Sequence, residues 1–387
     1  MAIILFDPES RRSLLPLSET RAIADIRLGI LTQRERWEMM TGQKVYVATV
    51  PYLRCLYEAI PPGEHTYIDA RAIAHESNVA PILQLPAGGA LQQEGKVWAV
   101  RTVSGDDDVA MLAAHPDKFS SKEVPVQLLI HPWQIIEWNR DLLIQDFSRI
   151  TAGRLSQPIP EQVYCTHPEN VFIEQGAVLA PCWLNASDGP IYIGAQATIL
   201  EGAAIRGPFA MCTGSVVKMQ SSIYAATTLG PFSTAGGEIK NTLIMGYSNK
   251  AHHGYLGDAV IGEWCNLGAG ATNSNVKNTA GMVKVWDFHS NQYISVANKC
   301  GVIMGDYCTV AINSAINTGS MFGTCCNIFG TGLLPTIVPS GSWGVTGIRY
   351  QLNKAIASIS NWKQFKGSTF TADEISVLEH IFAHRSM

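Results

Sequence analysis

The chain has 387 residues, a net charge of −4 and 47% apolar residues, which fits a folded protein of more than one domain and excludes disorder. Charged residues reach only 16%, against roughly a quarter in an ordinary globule. No basic stripe is present, so nucleic acid is not an expected partner, and no apolar run reaches the ~18 residues of a membrane span, so no membrane is expected either.

The chain opens on Met1-Ala2-Ile3-Ile4-Leu5-Phe6-Asp7, which lacks the basic start of a signal peptide and reads as a buried first strand. Arg21 to Thr41 has helix-compatible spacing, and residues 45–50 and 66–69 read as strands. An α/β domain over residues 1–152 follows. It ends at a Pro-rich segment, residues 153–160. The nine cysteines show no CxxC spacing, so they read as packing thiols of a protein in a reducing cytoplasm.

A six-residue period begins at Ile193 and continues through Ile199, Ile205, Met211, Val217, Ile223 and Leu229. Four residues after each stands Ala197, Ala203, Phe209, Ser215, Ser221, Thr227 or Ser233, small in all cases but one. The pattern returns at Ile261 and Leu267 and again from Met304 to Ile328. This period suits neither an α-helix nor a long amphipathic strand. It predicts a parallel β-helix, one short strand and one turn per repeat, over residues 160–346. Small residues would fill tight corners, and neighbouring copies of the chain would cover outward faces that carry little charge. The period breaks at about 235–255 and 273–301, and interruptions of a rigid solenoid are where chemistry is expected. Residues 347–387 read as a helical tail. Thr371-Ala372-Asp373-Glu374 forms a capping-box pattern ahead of Ile375, Leu378, Ile381 and Phe382.

The first interruption carries Lys250-Ala251-His252-His253-Gly254-Tyr255-Leu256-Gly257-Asp258, then Asn266-Leu267-Gly268-Ala269-Gly270 and Ser274-Asn275-Val276. Over about 50 residues this resembles the acetyltransferase domain of the bacterial bifunctional enzyme of UDP-N-acetylglucosamine synthesis. That enzyme is a glucosamine-1-phosphate acetyltransferase and N-acetylglucosamine-1-phosphate uridyltransferase. The resemblance implies a left-handed hexapeptide β-helix, acetyl-CoA as co-substrate and a homotrimer with its cleft between subunits. By position it implies His252 as the catalytic base, with His253 taking that place if the alignment is anchored on Lys250. Lys240 would bind the sugar phosphate, and Tyr255, Asn266 and Asn275 would contact the sugar. A neutral imidazole suits proton removal from an amine that attacks a thioester. The Arg that the family places ahead of the Lys240 position is missing here.

The N-terminal segment Phe6-Asp7-Pro8-Glu9-Ser10-Arg11-Arg12-Ser13-Leu14-Leu15-Pro16-Leu17 has no Gly-rich phosphate loop. Together with Arg21, Arg27, His131-Pro132-Trp133 and Asn139, it resembles a divergent group of these bifunctional enzymes, described from Bacteroidetes-type bacteria, with a shortened sugar-nucleotidyltransferase domain. The resemblance implies UTP as substrate, with Arg11, Arg12, Arg21 and Arg27 as phosphate-binding candidates. It also implies Mg²⁺, for which Asp69 and Asp146 are the candidate ligands. Two other readings stand beside this: an acetyltransferase with an inactive sugar-nucleotide-binding N-terminal domain, and a non-catalytic trimeric scaffold. A metal site at His252, His253 and His289 is a further option, without recognisable ligand spacing at His289.

Overall fold

The computed structural model describes residues 1–103 and 119–384. Strands β1 (Ile3–Phe6), β2 (Val45–Ala48), β3 (His65–Asp69), β4 (Gly89–Gln93), β5 (Lys96–Thr102) and β6 (Ser120–Glu123) form a mixed sheet in the order β2-β1-β3-β5-β4-β6. Strand β1 pairs in parallel with both β2 and β3. It is buried along its whole length, as its unbroken apolar run requires.

Helix α1 covers only Gln33–Thr41, not the longer stretch that the spacing from Arg21 suggested. Thr32 and Glu35 form a reciprocal capping box, and Gly42 in the left-handed region ends the helix. Before it the chain makes a short 3₁₀ turn at Ile23–Asp25 and a tight two-stranded ribbon, Arg27–Leu28 with Leu31–Thr32. Helix α2 spans Glu76–Leu83 and α3 spans Gln134–Thr151.

From Tyr164 onward the chain is a parallel β-helix of three sheets, with nine, eight and six strands. The period has a direct structural meaning. Ile193, Met211, Leu229, Ile244, Ile261, Met304, Phe322 and Val338 stack in register as one inward row. All are buried in the β-helix core. The corner residues are small because they sit inside the turn. Their hydroxyls close it, with Ser215, Ser221, Ser314 and Ser320 each donating to the carbonyl three residues earlier, at 2.6, 2.6, 2.8 and 2.9 Å.

The two interruptions differ from each other. At 235–255 the solenoid continues. Thr234–Ala235, Glu238–Lys240, Leu243–Ile244, Asn249–Lys250 and Tyr255–Gly257 all take their places in the sheets. The coil from Leu229 to Ile244 is shorter than the coil before it, so the spacing drifts while the register holds. At 273–301 an antiparallel hairpin leaves the solenoid, Val283–Asp287 with Gln292–Ala297. Its Val283, Val285 and Phe288 enter the hydrophobic core of the N-terminal domain.

That core also takes in Leu243, Met245, Val260, Ile303 and Met321 from the outer side of the nine-stranded sheet. Helix α3 covers the same side, with Leu143 and Ile30 packed on Ala210 and Cys212. This corrects one expectation. The low charge of this face is explained within a single chain, because the N-terminal domain sits on it. Helices α4 (Leu352–Phe365) and α5 (Ala372–His384) pack on the β-helix at Cys325 and on the N-terminal domain at Leu53. All nine cysteines are unpaired with one another, and seven are buried. No described helix is long and apolar enough to cross a membrane.

Candidate functional site

The residues 252–254 form a corner between two strands, Asn249–Lys250 of the eight-stranded sheet and Tyr255–Gly257 of the six-stranded sheet. Both His252 and His253 are exposed there. Close backbone contact fixes the corner. A Cβ on Gly237 would come within 2.9 Å of the His252 carbonyl, and one on Gly254 within 2.3 Å of the Ala271 carbonyl; both glycines have positive φ. The His253 carbonyl accepts from Gly270 N at 3.0 Å.

Lys250 holds this corner from inside. Its strand partner Ala235 belongs to the inward row of Ile199 and Val217, so Lys250 takes an aliphatic position and is 1% exposed. Its Nζ donates to the carbonyls of His252 at 2.5 Å and Gly236 at 3.3 Å. Burial holds the ammonium down to about 8. Lys250 stands inside the motif, and a lysine at an inward position of the six-residue period is the signal in the sequence for this role.

On the adjoining six-stranded sheet, Lys240 lies exposed beside Gly257. Asn275 Nδ2 donates to the Tyr255 hydroxyl at 3.0 Å and to Asp258 Oδ2. Asn241 donates to the other Asp258 oxygen at 2.7 Å. Burial, with Asp258 nearby, pushes the Tyr255 phenol up to about 12, so it remains a donor at neutral pH. Asp258 and Asn241 were not singled out from the sequence. The fold thus joins Tyr255 and Asn275 in one network on the sheet that carries Lys240, and His252 stands at the corner beside them. Asn266 lies on the eight-stranded sheet, within 3.5 Å of Asn249 Nδ2.

The same six-stranded sheet carries a groove of about 430 Å³ at its other end, with Tyr164, Trp183 and Tyr224 exposed along it.

The four arginines of the N-terminal domain do not form one cluster. Arg11 is buried and binds Asp7 at 3.1 Å and the carbonyls of Ser18 and Arg21. Arg21 reaches across to the β-helix, pairing with Glu263 at 3.0 Å and with Asp306. Arg27 binds the Ile30 carbonyl and lies 3.6 Å from Glu35. Arg12 alone of the four is exposed, at a cavity beyond the ends of β1 and β2.

The two carboxylates do not fit Mg²⁺. Asp146 is fully buried; Arg36 pairs with both of its oxygens, and the amides of Ile30 and Leu31 donate to it at 2.8 and 3.3 Å. Asp69 is clasped by the Arg71 guanidinium at 2.6 to 3.2 Å on both oxygens. Among the described residues, no group of three His, Cys, Asp or Glu stands ready to hold a metal ion. His289 is not brought together with His252 and His253 in such a group.

Residues 3–155 match the family model described as sugar nucleotidyl transferase. Three curated relatives each carry the name bifunctional protein GlmU. The one from Methanocaldococcus jannaschii is 28% identical over 212 residues, 55% of this chain and 45% of the relative. The one from Bartonella quintana is 26% identical over 207 residues, covering 51% and 40%. The one from Methylibium petroleiphilum is 26% identical over 274 residues, covering 67% and 54%. The chain therefore spans about half the length of the curated relatives it matches. Among solved structures, the polySia-specific acetyltransferase NeuO overlaps 51% of this chain and 93% of its own, at 12% identity and a TM-score of 0.20. An Arabidopsis UDP-N-acetylglucosamine acyltransferase overlaps 56% and 85%, at 12% identity and 0.21. Residues 3–155 are thus similar to the sugar nucleotidyl transferase family, a parallel β-helix follows them, and the chain has distant similarity to the GlmU proteins.

Proposed function

We propose that the β-helix acetylates the amine of an amino-sugar 1-phosphate with acetyl-CoA, and that the N-terminal domain transfers a nucleotidyl group from UTP to the acetylated product. The observation that carries the first half is the exposed His252 corner, braced by Lys250 and adjoined by Lys240 and the Tyr255–Asn275–Asp258 network. In the reaction, the amine nitrogen attacks the thioester carbonyl carbon and gives up a proton to the His252 imidazole. The C–N bond forms, the C–S bond breaks, and the thiolate leaves as the free thiol after taking up a proton. The Lys240 ammonium meets the sugar phosphate. Acetyl-CoA lies in the cleft between neighbouring β-helices of a homotrimer. The exposed aromatic residues Tyr164, Trp183 and Tyr224, on the sheet shared with Lys240, support a neighbouring copy there.

The family match over residues 3–155 supports the second half. A second reading is favoured by the fate of Arg11, Arg21 and Asp69, whose charges are used within the fold. It is an N-terminal domain that binds sugar nucleotide without turning it over.

The test is acetyl transfer from acetyl-CoA to glucosamine-1-phosphate, read as free thiol, in wild type, His252→Ala and His253→Ala. A loss of about 10²- to 10⁴-fold for His252→Ala, with a small change for His253→Ala, is expected. Undiminished transfer by His252→Ala would remove the assignment. Pyrophosphate release from UTP and N-acetylglucosamine-1-phosphate separates the two readings of the N-terminal domain.

A further inference from the structure

The ends of the parallel strands β1 and β2 open into a cavity of about 570 Å³. In an open α/β sheet this is where ligands bind, outside the carboxyl ends of the strands. One wall comes from the turn after β1, with Asp7, Glu9 and Arg12, and from Tyr52, after β2. The opposite wall comes from the far end of the chain, helix α5, through His380 and His384.

The two walls are built together. Tyr52 and His380 stack at 4.2 Å with ring planes 5° apart, and His380 stacks on His384 at 4.1 Å. Leu53 packs on Val377 and Ile381 beneath the stack. The start of α5 is pinned by the Thr371–Glu374 capping box and by Lys363, 2.5 Å from Glu374. The acidic group at the back of the cavity is already satisfied. The Asp7 carboxylate accepts from Arg11, Thr49 and the Ile23 amide at 3.1, 2.6 and 2.9 Å. Glu9 remains as the acidic side chain on the rim. The Arg12 guanidinium lies on the same wall as Glu9, the Arg11 guanidinium is held by Asp7, and the two imidazoles stand opposite. Burial and the neighbouring His384 hold the His380 imidazole below its usual range, and an anion beside the pair would relieve that repulsion.

We propose that α5 completes a polyphosphate site on the N-terminal domain. Arg12, His380 and His384 donate to the phosphate chain of a nucleoside triphosphate, and Tyr52 fixes the imidazole stack. The cavity volume falls within the ~300–1,000 Å³ of small-molecule sites. The proposal rests on the nucleotidyl-transfer reading, and it makes the C-terminal tail part of the N-terminal site.

The experiment is calorimetric titration of the full chain with UTP, and separately with inorganic pyrophosphate, in the presence of a chelator. The variants are His380→Ala with His384→Ala, and Arg12→Gln. UTP affinity is expected to fall at least about tenfold in each, the loss of one or more charge-assisted hydrogen bonds. Pyrophosphate is expected to bind the wild type and to weaken in the same variants, which assigns the contact to the phosphate chain rather than the base. The His380→Gln with His384→Gln pair keeps a polar helix face, and it carries the same expectation if the alanine pair fails to fold. Thermal unfolding and acetyl transfer report separately that the rest of the chain is intact. A wild type that binds UTP while the variants bind equally well overturns the role of α5 alone. A wild type that binds neither UTP nor pyrophosphate overturns this site, whereas the nucleotidyl-transfer reading falls separately if no pyrophosphate is released from UTP and N-acetylglucosamine-1-phosphate with Mg²⁺ present.

Discussion

Lys250 Nζ, enclosed in the β-helix, donates to the His252 carbonyl at 2.5 Å. Its partner on the preceding coil is Ala235, a methyl side chain in a row of aliphatic residues. The buried ammonium therefore braces the corner where His252 stands. It has a cost that pH reveals. The folded value is about 8, below the 10.5 of an unfolded lysine. Between these values the unfolded chain holds more protons than the folded one, so stability rises with pH across that window and is level below it. Lys250→Met is expected to flatten this rise in urea unfolding measured from pH 7.5 to 10.5. Lys366, also held down to about 8, leaves a residual slope. The same variant should lower the kcat of acetyl transfer by about 10- to 100-fold as the corner loosens. An unchanged pH dependence of stability would contradict this role.

Asn275 links the Tyr255 hydroxyl to Asp258. Removing its amide leaves both groups without that donor, at a cost of about 1–3 kcal/mol. Asn275→Ala is expected to raise the KM for the amino sugar about 10- to 100-fold, with kcat reduced less. The phenol sits near 12, so the pH–rate profile of the wild type should show no Tyr255 limb below pH 10. Steady-state kinetics over pH 6–10 checks both. A variant with wild-type KM would detach the network from substrate binding.

Arg21 carries the join between the two domains. It pairs with Asp306, 2% exposed, and with Glu263, while Thr20 adds a bond to Asp306. Burial opposes the charge, but the Asp306 and Glu263 carboxylates outweigh it and hold the Arg21 pKa well above the usual guanidinium value, so the charge is permanent. Arg21→Met strands the Asp306 carboxylate in the interface and is expected to cost about 3–5 kcal/mol. Calorimetry should show one unfolding transition in the wild type and an earlier, separate one for the N-terminal domain in the variant. A single transition at the wild-type temperature would refute this.

Asp146 and Arg36 form a buried pair that ties α3 to the turn before α1. Asp146→Asn leaves Arg36 without its counter-charge and is expected to destabilise by about 3–5 kcal/mol. Chemical denaturation measures it. An equally stable variant whose nucleotidyl transfer needs more Mg²⁺ would reverse the structural assignment.

The β-helix was legible from the chain because its inward row repeats at a fixed local step, and each step is read by the same short-range sterics. The drift at 235–255 read as an interruption because a shortened coil changes spacing without changing register. The His252 corner was legible through its motif. The arginines were not. Arg11, Arg12 and Arg21 are alike in sequence, and only the packed structure decides that Arg11 closes a turn, Arg21 bridges domains and Arg12 faces a cavity. The same holds for Asp146, whose partner Arg36 is far away along the chain.

The sequence by itself determined the solenoid, its small corners and the low proportion of charge, since these follow from which side chains fit one repeating turn. Tertiary structure decided what covers the uncharged flank. Leu243, Met245 and Val260 face out of the β-helix and are buried by the chain's own N-terminal domain, and His380 and His384 reach the cavity at the ends of β1 and β2. Such contacts join segments hundreds of residues apart, and no local period records them.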